Sequence, residues 1–314
     1  MRDLLPRVLV GLVQIAVVAT GVFALTSWLP GDTAVVVLGE HATPERVAVL
    51  REQLGLDRPW GERFLDWAGG LLRGDLGTSL LTGRPVAEQL GEQLAGTALP
   101  AALTLLLVLP LAVLVGVAGG VRPDSRADRA LRAVIAVLNA IPEFALGMVL
   151  VGVFAVQLGW LPATAAGLSG LPLAAQPGVL VLPVAVLVCK QLCPLARQVR
   201  VGVAGASAAG FAAHLRMLGM PERTVLLRHV LPNGLAPAVQ QLARTVDGLL
   251  GGVVVVEALF GLPGVGSGFV DAVEARDLPV VQAYAVVFAL TTVLVNTAAD
   301  VAARRLVPQR EVIA

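Results

Sequence analysis

Six stretches of the chain are continuously apolar, at about 8–29, 98–121, 133–158, 179–197, 235–256 and 281–303, and the segments between them carry most of the charge. A helix needs about 20 mostly apolar residues to cross roughly 30 Å of hydrocarbon, so each stretch predicts one transmembrane helix. Barrel strands would alternate apolar and polar positions with period two. These runs do not, and the Gly and Pro that interrupt them are tolerated in helical spans. The expected fold class is all-α: a polytopic membrane protein of about six spans in a single domain, 1–314. The first stretch follows Arg2 and Arg7 as a signal peptide would, but its apolar run is longer than an h-region. It also ends in TSWLPGD with no small-x-small site, so it is expected to remain as a helix.

The loop 30–97 has its own helical signals. Thr43 suits an N-cap, Pro44 the first helical position and Gly55 a terminator. Trp60, Phe64, Trp67 and Leu71 recur at i, i+4, i+7 and i+11, a stripe able either to pack on the outer ends of the spans or to lie in the interface where Trp is favoured.

Composition removes the soluble alternative: with 56% hydrophobic and 14% charged residues among 314, and a mean hydropathy of +0.81, the chain cannot coat a water-soluble domain. Charge then orients it. With the N-terminus inside, the inner segments carry fourteen arginines: Arg2 and Arg7; Arg122, Arg126, Arg129 and Arg132; Arg197, Arg200, Arg216, Arg223 and Arg228; Arg304, Arg305 and Arg310. The outer segments carry seven, six of them in the long loop, where the positive-inside rule loses force. Both termini are therefore expected inside. The outer face is acidic, with Asp32, Glu40, Glu45, Asp57, Asp75, Asp271 and Glu274.

Enzyme chemistry is not written in the chain. Its one lysine, Lys190 in VLVCKQLC, has no phosphate-cradling glycine loop before it. His41, His214 and His229 lie on separate segments, and GVGSGF around Ser267 lacks the setting of a nucleophile elbow. Cys189 and Cys193, one turn apart, read as small apolar helix residues or as a relay for soft ions, and meet disulfide geometry badly. No metal site and no catalytic residue is expected.

The most punctuated part of the C-terminal half is LRMLGMPERTVLLRHVLPNG, 215–234, within the cytoplasmic loop 198–234. A helix is expected from about Ala204 to Leu218, ended by Gly219, then a second begun at Pro221 and stopped by Pro232. Leu215, Met217, Leu218 and Met220 would stand as apolar knobs in a basic loop. Two roles remain open on this pattern: a docking site for a partner, or a hairpin lying on anionic lipid.

Ionisable groups inside the spans are costly and hence functional candidates. Gln240, Arg244, Asp247 and Gly251 share one face of the fifth span, and Thr292, Asn296 and Asp300 share one on the sixth. Arg244 and Asp247 are read either as a substrate contact or as a self-neutralising i, i+3 pair at a subunit seam. Glu143, after Pro142, is a third intramembrane acid without an assigned partner.

The spacing of Gly219, His229, Leu231 and Pro232 resembles the EAA loop of permease subunits of binding-protein-dependent ABC importers, with Ala213, His214 and Leu215 where E-A-A stands and His229 in place of Ile. Further motifs of the dipeptide/oligopeptide/nickel branch follow in order: LPGD (29–32), LGLDRP (54–59), GDLGTS (74–79), EALFGLPGVG (257–266), RDLPVVQ (276–282) and a closing Leu294, Val295, Asn296, Asp300 and Pro308. The resemblance implies the type I importer permease fold in a bacterial cytoplasmic membrane. It also implies a second permease subunit, this chain being similar to the B-type partner, two cytoplasmic ATPase subunits that bind ATP and Mg, and an extracytoplasmic binding protein. It implies no cofactor held by this chain and no nucleic acid. The coupling residues are then Leu215, Arg216, Met217, Gly219, Met220, Leu231 and Pro232, and the translocation path Gln240, Arg244, Asp247 and Asn296. The family generally has uncharged residues where Arg244, Asp247 and Glu143 stand. Expected cargo is a small solute, first di- or oligopeptides, alternatively nickel or another metal chelate. A stand-alone channel or secondary transporter is the distant alternative, for which the expected inverted repeat is not visible.

Overall fold

The computed structural model describes residues 4–28, 32–167 and 175–306, with the side chains of residues 4–8, 240, 243, 250 and 299–306 left aside. Leu29–Gly31 of LPGD, the side chains of Gln240 and Asp300, the terminal arginines and Pro308 lie outside what is described. The helices are α1 (Leu4–Trp28), α2 (Thr33–Leu38), α3 (Pro44–Gln53), α4 (Trp60–Leu72), α5 (Val86–Val121), α6 (Arg126–Ala140), α7 (Glu143–Leu150), α8 (Gly178–Ala208), α9 (Gly210–Met217), α10 (Glu222–Val225), α11 (Leu231–Gly234), α12 (Ala236–Phe260), α13 (Val265–Glu274) and α14 (Leu278–Leu306). Among the described residues there is no strand, only an isolated bridge between Thr78 and Pro85. Among the described residues, four helices are long and apolar enough to cross a membrane, or up to six segments if each of two bent pairs is one span. The third predicted span is such a pair: α6 and the helix over 143–157 meet at 101° across Ile141 and Pro142, because Pro142 cannot continue the α6 ladder.

Two compact units divide the chain. The first comprises 1–96 and 263–293. In it the outer-loop stripe packs rather than floats: Phe23 of α1 lies 5.7, 5.4 and 5.2 Å from the rings of Trp60, Phe64 and Trp67. Thr43 caps α3 and Pro44 occupies its first turn, as the loop's signals require. A second core joins Val86, Leu90, Val265, Val280, Val281 and Tyr284, with the Tyr284 hydroxyl donating to Gln93 Oε1 at 2.7 Å. The GDLGTS and RDLPVVQ motifs meet here: the Ser79 hydroxyl donates to Asp277 Oδ2, and the Leu80 N–H donates to Asp277 Oδ1 at 3.1 Å.

The second unit comprises 97–262 and 294–314. Gly116 and Gly120, one turn apart on α5, let α8 approach so closely that a Cβ at either would stand 2.5 Å from Val199 or 2.8 Å from Val203, the small-xxx-small device of membrane helix pairs. One core gathers Leu146, Val186, Leu187, Leu249, Val256 and Phe260. In EALFGLPGVG, Phe260 is buried, Gly261 closes α12 with φ 64°, and the freed Phe260 carbonyl accepts the Ala165 N–H at 2.8 Å. Glu257 of the same motif is fully buried and accepts from the Thr97 hydroxyl at 2.6 Å.

Topology is open to direct measurement. Ser79 is buried and unsuited to labelling, whereas Leu81 and Arg223 are exposed. Cysteines replacing Leu81 and Arg223, in a background without Cys189 and Cys193, are expected to react from opposite sides of the membrane; labelling of both from one side would mean that the six-span count is wrong by an odd number.

Candidate functional site

The hairpin over 210–234 is built on a second core, in which Val199 and Val203 of α8 meet Ala212, Val225 and Val230. Its entry differs from the single helix expected over 204–218. Helix α8 ends at Ala208, Ala209 is extended (φ −68°, ψ 150°), and α9 restarts at Gly210. In the run AGASAAG, Gly205 and Gly210 bracket the break, glycine being the weakest helix former after proline, and the Ser207 carbonyl left free at the break accepts from Arg216 Nη1 at 2.9 Å.

Gly219 closes α9 with φ +77°. The Gly219 N–H bonds to the Arg216 carbonyl at 3.0 Å and the Met220 N–H to the Leu215 carbonyl at 3.2 Å, the paired bonds of a Schellman turn. The turn's apolar partners, Leu215 and Met220, pack onto the core beneath. Arg216 then clamps the turn from outside, its Nε and Nη2 bonding Glu222 at 2.9 and 2.8 Å. That guanidinium holds the Glu222 carboxyl below the usual carboxylate range. Pro232 does not stop the second arm: after α10 the helix widens into a π turn over Leu226–Val230 and resumes as α11, where Pro232 sits in the first turn and its missing N–H costs nothing. Leu231 packs inward and Pro232 is exposed.

Of the four expected knobs, two are therefore part of the core and two protrude. Met217 is 79% and Leu218 66% exposed, with Phe211 and Leu227 also outward among Arg223, Arg228, His214 and His229. Because Gly219 adopts a backbone conformation that L side chains resist, Gly219→Val is expected to cost about 1–3 kcal/mol locally and lower transport, while Gly219→Asn is tolerated. Wild-type transport by the valine variant would contradict the role assigned to this turn.

Within the membrane spans the polar face is rearranged relative to expectation. Arg244 and Asp247 form no ion pair among the described residues. Asp247 Oδ2 accepts from Asn296 Nδ2 at 3.0 Å, and its Oδ1 is buried without a partner among the described residues. Arg244 instead is exposed, in a stripe with Pro237, Gly251, Val255 and Ala258. At 100° per residue these five lie within an arc of about 60°, with Asp247 about 20° beyond its edge and about 60° from Arg244. The structure thus brings Asp247 together with Asn296 and leaves Arg244 apart from both.

Lys190 and Gln191 gain places in the spans that the sequence did not assign, and Glu143, left there without a partner, gains neighbours. Lys190 Nζ donates to the carbonyls of Asn139 and Ile141 at 3.0 and 2.8 Å, a cation at the C-terminal end of α6. Glu143 begins α7. Its carboxylate lies against Gly252, where a Cβ would stand 2.9 Å away, and the buried Gln191 lies likewise against Gly248 at 3.0 Å. The bend in the third span, which leaves carbonyls needing a donor, was the signal for Lys190.

The chain belongs to the family of inner membrane components of binding-protein-dependent transport systems, whose profile matches residues 109–312, with that family's N-terminal region matching residues 1–97. Similar proteins include the glutathione transport system permease protein GsiC of Salmonella choleraesuis (strain SC-B67), 33% identical over 93% of this chain and 94% of that one. GsiC of Escherichia coli (strain K12) is 32% identical with the same coverage. A solved structure described as an amino acid ABC transporter with histidines covers 70% of this chain and 94% of that one, with a TM-score of 0.52 and 16% identity; it supports the type I permease fold. This chain is accordingly a pore-forming permease subunit of an ABC importer in the inner membrane, dependent on a binding protein and on partner ATPase subunits, and is not itself an enzyme.

Proposed function

We propose that the chain is the B-type half of a two-permease importer for peptide-like small solutes. The observation that carries the substrate class is the extent of similarity to permeases named for glutathione transport, which runs over nearly the whole chain rather than a shared segment. The partner half covers the α12 stripe. Arg244 at a span surface would cost roughly 2.5–3.5 kcal/mol if it faced lipid, so Pro237, Arg244, Gly251, Val255 and Ala258 are read as facing the second subunit and the path between the halves. Asp247 and Asn296 flank that path, with Gln240 one turn before Arg244.

The hairpin is the coupling element. Met217, Leu218 and Phe211 seat in an ATPase subunit, while Leu215, Arg216, Gly219, Met220, Leu231 and Pro232 fix the shape that presents them. ATP and Mg are bound by that partner, and closure of the ATPase pair moves α9 and, through it, α8. The substrate reading is tested by uptake of labelled glutathione and a dipeptide series in cells carrying the complete transporter with and without this chain. Accumulation dependent on the chain supports it; accumulation of only a metal chelate or a non-peptide solute overturns it.

A further inference from the structure

The cavity between α6 and α8 has a chemistry that transport by the path above does not use. It holds about 430 Å³. Because the two helices run in opposite directions, its two ends differ: Arg132, Arg197 and Arg200 line one, and Ile135, Pro194 and Cys193 the other, with Asn139 a polar side chain beyond them. The arginine end adjoins the turn from Val121 to Arg126, on the side that the arginine asymmetry assigns to the cytoplasm; the apolar end runs toward the hydrocarbon.

We propose that this cavity binds an anionic phospholipid, with the phosphate at the arginines and an acyl chain along Ile135, Ala136 and Pro194. The charges facing it leave one cation over. Arg200 gives Nε and Nη2 to Asp128, whose side chain is fully enclosed. Arg132 bonds Asp124 at 2.9 Å and lies 3.5 Å from Asp128. Those two carboxylates offset two of the three guanidiniums. Arg197 is exposed and forms no ion pair among the described residues, and Lys190, near the inner end, is committed to main-chain carbonyls. Each of Arg132 and Arg200 also keeps Nη1 free of a described partner. Guanidiniums pre-oriented by a buried carboxylate, beside an uncommitted third, suit a phosphate's oxygens. An apolar floor excludes a small hydrated anion as the better fit, and basic cavities between spans at the cytoplasmic face are where anionic headgroups bind.

The test is native mass spectrometry of the intact transporter, released in mild detergent and titrated with phosphatidylglycerol or phosphatidylcholine. The expected result is selective retention of phosphatidylglycerol, lowered about fivefold by Arg197→Gln. Ala136→Phe, which keeps every charge and fills the cavity, is expected to lower it as well. Arg223→Gln, on the hairpin outside the cavity, is expected to leave it unchanged. Equal retention of phosphatidylcholine, loss equal in Arg223→Gln and Arg197→Gln, retention undiminished in Ala136→Phe, or displacement of the lipid by millimolar inorganic phosphate would each overturn the proposal.

Discussion

Replacing Met217 and Leu218 together with aspartate leaves the permease inserted and reduces uptake to background. The two side chains are largely exposed, so their loss removes nothing from the chain's own core. Burying each in a partner contributes about 1.5–3 kcal/mol, and placing carboxylates there adds a desolvation penalty. Affinity for the ATPase subunit is expected to fall by at least ~100-fold. Leu215→Asp gives a different result, because Leu215 packs on the core under the turn: the hairpin itself is disrupted and the chain is recovered in lower amount. Uptake together with ATPase copurification distinguishes the two. Retained ATPase in the double aspartate variant would remove the knobs from the docking surface.

Gly202→Val is expected to be the most damaging single change in α8. A Cβ at Gly202 would stand 1.9 Å from the carbonyl oxygen of Gly234, and a Cβ at Gly234 would stand 2.9 Å from the Val203 Cα. Backbone meets backbone there, so no rotamer change relieves the clash, and overpacking costs of about 1–3 kcal/mol or more follow. The return arm of the hairpin is pushed off α8, and transport is lost even in the membrane-inserted fraction. A Cβ at Gly205, three residues on, would meet nothing within 4 Å. Gly205→Ala is therefore neutral or stabilising by about 0.5–1 kcal/mol. Thermal stability and uptake of the two variants, measured side by side, check the contrast; equal behaviour would mean that the α8–α11 seam does not carry the coupling.

The sequence announced what lipid enforces and was silent on what tertiary packing decides. Long apolar runs located four spans as single helices, because each must satisfy its own backbone in hydrocarbon, while the third and fifth runs belong to bent pairs. Gly219 declared its turn because its φ is nearly reserved for glycine, and the Trp60, Phe64 and Trp67 stripe found Phe23 through simple helical periodicity. The pairing of Arg244 with Asp247 failed for the opposite reason: i, i+3 spacing permits such a pair but cannot exclude Asn296, which arrives from a different helix, α14. Leu215 and Met220 looked identical to Met217 and Leu218 in composition, and only the core beneath the Schellman turn separates them. The break at Ala209 and the π turn before Pro232 were likewise invisible, since both depend on carbonyls captured by the side chains of Arg216 and Asn233 once the hairpin has closed.

At the hairpin, ATP hydrolysis by another chain is proposed to reach this one. A photo-crosslinking amino acid at Leu218, in cells expressing the whole transporter, measures that directly. An adduct with the ATPase subunit is predicted, with its yield changing when a non-hydrolysable nucleotide is added to permeabilised cells. An adduct with lipid alone, and none with the ATPase at any nucleotide state, would contradict it.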